Sequence, residues 1–245
     1  MARKLSEIER MIHSRVDDFR SYLDKNLPGR LLQIIRRIET ESSIFIFSGV
    51  IRDFFLGRED IRDIDLVLEK PIDIDTYFAD VPIRKNSFGG YKILYDDIPV
   101  DLWYIRDTWA YKFQKVFDFY PGVGVFQTAF FNFSNIIFSL SENKFYFSNH
   151  FTRFLRDKEI DIGYPINANY DLCIVNTIYY SQKLNLKVSD NLKLFILQHY
   201  KPSSSFIEDV QKKHFGSVLY DSDMIQSFME DIRSELVSSK KLPNI

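Results

Sequence analysis

Three aspartates and one tight turn carry the chemistry that can be read from this chain. Asp63 and Asp65 stand two residues apart in D-I-D-L-V-L, whose composition predicts a strand, so both carboxylates leave the same face. Neighbouring carboxylates repel and are costly unless a cation lies between them. An all-oxygen pair suits Mg²⁺, which keeps several waters and also binds substrate phosphates. Upstream, Ile44 to Phe47 predict a strand, Ser48-Gly49 a sharp turn, and Val50, Ile51, Phe54 and Phe55 a short helix stopped at Gly57. A Ser-Gly turn entering a helix offers backbone N–H groups to a triphosphate. This combination suits in-line phosphoryl chemistry, with an activated hydroxyl on one side and a leaving pyrophosphate on the other. Asp101 is a further candidate, an acid inside the otherwise apolar strand I-P-V-D-L-W-Y.

The run S-G-V-I-R-D-F-F-L-G-R at 48–58, followed by D-I-D-L-V at 63–67, resembles the signature of the polymerase-β-like nucleotidyltransferase superfamily. Within it, the run resembles the head of bacterial poly(A) polymerases and class II CCA-adding enzymes, whose pattern is G-G-x-V-R-D-x-L-L-G-R…D-I-D. Ser48 replaces the first glycine, a change the superfamily accommodates. The resemblance implies an α+β fold: a nucleotidyltransferase head, with a short mixed sheet flanked by helices, then an all-α neck and C-terminal region. It implies that Asp63, Asp65 and Asp101 are catalytic and hold two Mg²⁺, with Mn²⁺ as a substitute. Ser48, Gly49, Arg52 and Asp53 would line the nucleotide. Arg52 either reaches a phosphate or pairs with Asp53, and Arg58 and Arg62 either lean towards the phosphates or sit in a solvated loop.

Further along, the pattern erodes. F-F-N-F-S-N-I-I-F at 130–138 stands where CCA-adding enzymes show R-R-D-F-T-I-N. Phe130 and Phe131 replace the arginines, and Asn132 replaces the acid that helps recognise the sugar. Asn132 can still bond a sugar hydroxyl without charge, so ribo- and deoxyribonucleotides are both allowed. The neck block at 170–186 keeps its apolar frame, but Cys173, Asn176 and Tyr179 replace its base-selecting arginines. Asn176 and Tyr179 share a helical face and either contact the base or bond each other.

The remaining chain frames these elements. Residues 4–25 predict one N-terminal helix that covers the sheet or serves a partner, ended by Pro28-Gly29. The expected organisation is 1–27 N-terminal helix, 28–125 head, and 126–245 mainly helical neck and C-terminal domain with a mobile tail. Tyr91–Tyr95 and Ile98–Tyr104 predict a hairpin turning at Asp96-Asp97. Trp109, Tyr111, Phe113, Phe117, Phe119 and Tyr120 are core or base-stacking groups, and P-G-V-G at 121–124 reads as a loop. Asp221 or Ser222 and Ser203 read as helix caps.

A hydrophobic share of 45% places the chain among folded proteins, and its one cysteine, Cys173, excludes an internal disulfide. No apolar run reaches membrane-spanning length, and the start M-A-R-K carries no signal peptide, so a cytoplasmic protein without a membrane partner is expected. A net charge of −2 argues against a broad tRNA-gripping surface.

The leading expectation is a template-independent, Mg²⁺-dependent nucleotidyltransferase that moves an NMP or dNMP from a (d)NTP to an acceptor hydroxyl. The acceptor lies on a nucleic acid, a nucleotide or a protein, and the role is making an oligonucleotide or signal in bacterial antiphage defence, or toxicity. The first alternative is a tRNA or RNA 3′-end-adding enzyme, and the second an inactive partner or binding module. Analogy leaves room for a regulatory protein partner.

Overall fold

The N-terminal stretch forms two helices rather than one, α1 (Leu5–Ser14) and α2 (Val16–Asn26). The break is at Arg15 (φ −97, ψ 14), whose N–H closes a short turn on the Ile12 carbonyl at 3.2 Å. Its guanidinium lies 4.5 Å from the centre of the Phe54 ring. The break lets both apolar faces be buried, Ile8 and Ile12 on α1 and Phe19 and Leu23 on α2. Helix α3 (Gly29–Ile38) follows from Pro28 and buries Leu31, Ile35 and Ile38. The computed structural model describes residues 4–85, 89–113, 122–201 and 206–239.

The head then runs β1 (Ile44–Phe47), α4 (Gly49–Phe55), β2 (Ile64–Leu68), α5 (Ile74–Phe78), β3 (Ile83–Lys85), β4 (Tyr91–Tyr95), β5 (Ile98–Tyr104), α6 (Trp109–Lys112) and α7 (Val123–Gln127). Beyond it come β6 (Ile136–Ser139), β7 (Lys144–Phe147), α8 (Asn149–Asp157), β8 (Glu159–Ile160), α9 (Tyr170–Leu184), β9 (Lys187–Val188), α10 (Asp190–His199), α11 (Phe206–Phe215) and α12 (Ser222–Ser238). Seven strands form one mixed sheet in the order β3-β4-β5-β2-β1-β6-β7, in which β2 and β5 run parallel. The sheet therefore extends beyond residue 125, where the sequence reading ends the head, because β6 and β7 pair onto the free side of β1.

Strand alternation divides the sheet into two faces. Ile44, Ile46, Ile64, Leu66, Leu68, Val100 and Leu102 point into the main core with the helices. Phe45, Val67 and Ile137 face the other way, under Val125 and Phe126 of α7. Of P-G-V-G, expected as a loop, Val123 and Gly124 lie in a helix, and Pro121 is outside the described residues. Gly122 (φ 94) is the N-cap of α7, and a Cβ there would come within 2.9 Å of Ile137 Cδ1. Only glycine allows that turn to press on the sheet.

Beyond β7 the described residues are helical apart from the short parallel β8–β9 pair. Asn169, Ser189 and Asp221 cap α9, α10 and α12 by accepting from the N–H of Leu172, Leu192 and Met224. The Ser203 cap, the aromatics Phe117, Phe119 and Tyr120, and the tail from residue 240 lie outside the described residues.

Candidate active site

The Ser48-Gly49 bend forms where β1 gives way to α4. Ser48 adopts φ 46 and ψ −83, unusual for a residue with a side chain, and is held by its hydroxyl donating to Ser134 Oγ at 2.7 Å. The bend lies against the carboxylates: a Cβ on Gly49 would sit 3.9 Å from Asp63 Oδ1 and 4.0 Å from Asp65 Oδ2. Strand register assembles the rest. Asp65 of β2 is paired directly with Asp101 of β5, and Asp101 with Lys92 of β4. One row of side chains thus crosses the sheet as Lys92, Asp101, Asp65, Phe47, Ile137 and Tyr146. Asp63, two residues before Asp65, projects on the same side.

The electrostatics follow from this crowding. Burial, then the charges of Asp63 and Asp101, push the Asp65 carboxyl up to about 8, against Lys92 and Arg52. Burial also raises Asp101, against the pull of Lys92, whose Nζ is 3.5 Å from Asp101 Oδ2. The other oxygen, Asp101 Oδ1, is buried and finds no hydrogen-bond partner among the described residues. Asp63 Oδ2 accepts from Arg62 through Nε at 3.2 Å and Nη2 at 2.6 Å. Two basic side chains thus balance the outer acids.

Among the described residues, no three acid, His or Cys side chains converge as a ready-made metal cage. Asp63 is turned to Arg62 and Asp101 to Lys92 instead. The donor set nevertheless fits a hard divalent cation: three carboxylates, one unpartnered buried oxygen, and a central acid pushed up by burial and by its two acidic neighbours. Loading such a site means displacing Arg62 and Lys92 and releasing the Asp65 proton. Two cavities of about 330 and 360 Å³ lie elsewhere, at Asp73–Tyr91 and at Arg15–Glu59. Neither is lined by the three aspartates, which occupy the sheet surface.

The other candidates separate. Arg52 is buried and pairs with Asp53, Nε to Oδ1 at 2.8 Å, with its guanidinium 5.2 Å from the centres of both the Phe133 and Tyr180 rings. Of its two sequence readings, the structure shows the ion pair. Asn132 is turned inward: its side-chain amide donates to the Glu159 carbonyl at 2.9 Å, and its backbone N–H donates to that of Asp161 at 2.9 Å. It fastens β8 to the head and is absent from the carboxylate row. Asn176 Oδ1 is buried without a partner among the described residues. Tyr179 does not bond to it; its hydroxyl accepts from Arg62 Nη1 at 3.1 Å and Lys183 Nζ at 3.0 Å. Phe130, Phe131 and Cys173, at the arginine positions of the resembled pattern, are all core residues.

Sequence reasoning missed Lys92 and Lys183. A signal for Lys92 was present: a two-residue Asp96-Asp97 turn fixes the hairpin register and sets residue 92 opposite residue 101. Lys183 needed the tertiary contact between α9 and the loop before β2.

No family model and no curated relative matches the chain. Solved structures do. A CCA-adding enzyme in complex with ATP superimposes with a TM-score of 0.61 at 14% identity, covering 86% of this chain and 54% of that one. The Thermotoga maritima CCA-adding enzyme complexed with tRNA gives 0.58 at 14%, covering 87% and 53%. A tRNA nucleotidyltransferase complexed with a primer tRNA and an incoming ATP analogue gives 0.56 at 17%, covering 83% and 61%. The chain shares the fold of these structures. It spans little more than half the length of these enzymes, and the likeness is one of architecture. No helix among the described residues is long and apolar enough to cross a membrane.

Proposed function

We propose that the chain transfers a nucleoside monophosphate from a nucleoside triphosphate to the 3′ hydroxyl of an RNA, releasing pyrophosphate. The observation that carries this reading is the side-by-side register of Asp65 and Asp101, with Asp63 on the same face and the Ser48-Gly49 bend against them. The matched enzymes in complex with ATP and tRNA support the choice of acceptor.

Asp63, Asp65 and Asp101 would hold Mg²⁺, or Mn²⁺ in its place. Two such ions, when bound, supply Lewis acidity at the attacking and leaving oxygens. Ser48 and Gly49 line the triphosphate side and admit it closely, since a side chain at residue 49 would fill the space over the carboxylates. Asp101 faces the acceptor side, where its carboxylate orients the attacking hydroxyl, and Lys92 offsets its charge. The acceptor hydroxyl gives its proton to the Asp101 carboxylate, its oxygen bonds to the α-phosphorus, the bond from that phosphorus to its bridging oxygen breaks, and pyrophosphate leaves. Arg52 acts behind the site, bracing α4 through Asp53 and the Phe133 and Tyr180 rings.

A second reading keeps the chemistry and changes the acceptor to a nucleotide or a protein hydroxyl, in a signal-making or toxic role. It is supported by the core placement of Phe130, Phe131 and Cys173 and by the net charge of −2, which disfavour an extended RNA grip. One assay separates the acceptors. The chain is incubated with each α-labelled NTP and dNTP, with and without short RNAs, and the products are resolved by size. RNA lengthened by one or a few nucleotides is the expected result. Label on the protein, or small oligonucleotides formed without RNA, would transfer the conclusion to the second reading.

A further inference from the structure

The loop before β2 meets α9 through a cluster that the aspartate site alone does not explain. Arg62 uses three nitrogens, Nε and Nη2 on Asp63 Oδ2 and Nη1 on the Tyr179 hydroxyl. That hydroxyl also accepts from Lys183 one helical turn away, at 3.0 Å. With both donors on its oxygen, the phenol is left its own O–H to donate. Lys183 pairs with no carboxylate among the described residues. Arg58 donates to the Lys183 carbonyl at 2.7 Å and fastens the loop to the end of α9. Helix α11 packs on α9, with the Phe215 ring 5.3 Å from that of Tyr179.

We propose that Arg62, Tyr179 and Lys183 form a polyphosphate-binding subsite, and that Arg62 passes from Asp63 to the phosphates as a divalent cation takes its place on that carboxylate. The identity of the ligand rests on the nucleotidyl-transfer reading. The charges favour it: two cations and a phenolic donor converge where Asp63 is the one acid bonded to them, and a guanidinium fork matches phosphate geometry. Burial pushes the Tyr179 hydroxyl up, but Lys183 and Arg62 outweigh it and hold the group below its usual value, as expected where positive charge is in excess. Partial desolvation, then Lys92 and Arg62, hold His214 below its usual value, so the positive rim reaches round to α11. Tyr179 is thereby assigned to phosphate rather than to base.

The test is direct binding with the full chain. Inorganic tripolyphosphate is titrated in Mg²⁺-containing buffer by calorimetry, and Mn²⁺ is titrated separately by electron paramagnetic resonance without nucleotide. Tripolyphosphate should bind the parent protein, and Lys183→Gln and Tyr179→Phe should each weaken it roughly tenfold, by the same factor for all four NTPs. Arg62→Gln should weaken tripolyphosphate while tightening Mn²⁺ several-fold, roughly, because the competing guanidinium is gone. Melting temperatures within about 2 °C of the parent protein would exclude a folding defect. No tripolyphosphate binding by the parent protein overturns the subsite. So does a Tyr179→Phe protein that changes its preference among bases yet binds tripolyphosphate unaltered. Mn²⁺ affinity unchanged in Arg62→Gln overturns the exchange at Asp63. Cluster-dependent tripolyphosphate binding without turnover of any NTP would retain the subsite and defeat the transferase reading instead.

Discussion

Replacing Asp65 with Asn should make the metal-free protein more stable at neutral pH. Burial and two neighbouring acids hold the Asp65 carboxyl at about 8, against 3.8 as an ordinary side chain. Between those values the folded chain keeps a proton that the unfolded chain has lost. Raising the pH through this window therefore favours unfolding, by at most about 1.4 kcal/mol per pH unit for one group. From pH 5 to 7 the ceiling is about 3 kcal/mol, and relaxation of Asp63 and Asp101 brings the expected loss to about 1–2 kcal/mol. Asp65→Asn removes this term, and the other carboxyls contribute alike to both proteins. Urea unfolding in EDTA should therefore show the gap between variant and parent widening by that amount from pH 5 to 7, or roughly 5 °C in Tm. Parallel stability curves, or a gap that narrows with pH, would refute the crowded-carboxylate argument.

Other substitutions separate fold from site. Gly49→Ala adds a methyl 3.9–4.0 Å from two carboxylate oxygens, an ordinary contact. Calorimetry should find Mg²⁺·NTP binding weakened while Tm moves by less than about 3 °C. Arg52→Ala strips Asp53 of its partner and two rings of their cation, so urea unfolding should show a loss of about 3 kcal/mol. Gly163→Ala would bring a Cβ to 2.0 Å from Asn135 Oδ1. The Asn135 side chain is pinned by bonds to the Phe126 and Ala129 carbonyls. The expected cost is about 3 kcal/mol, read as a lowered urea midpoint.

The carboxylate row was legible because its parts are local. D-I-D puts two acids on one strand face, Ser-Gly marks the bend, and an acid in an apolar strand asks for a partner. The bounds of β1, α4, β4 and β5 followed from the same apolar runs and turns. What stayed hidden depends on pairing at a distance. Nothing in I-I-F-S says that it adds to β1 rather than entering a neck, and only the β6–β7 hairpin, turning at Asn143 (φ 53), shows it. Asn132 stands at the sugar-reading position of the resembled pattern, and nothing in the sequence says that its amide is taken up by the Glu159 carbonyl. Arg62 and Lys183 lie on different elements, and their meeting at the Tyr179 hydroxyl is a product of helix packing. The split at Arg15 was masked by apolar residues that keep helical spacing on either side of it.

The most direct test of nucleotidyl transfer is pyrophosphate release from each NTP and dNTP with Mg²⁺ or Mn²⁺, comparing the parent chain with a variant carrying both Asp63→Ala and Asp65→Ala. Release by the parent of pyrophosphate matched by a labelled product, and none by the variant, is the predicted result. Turnover that survives in the variant would put the site elsewhere, and no turnover with any of the eight nucleotides would leave a binding module with a transferase fold.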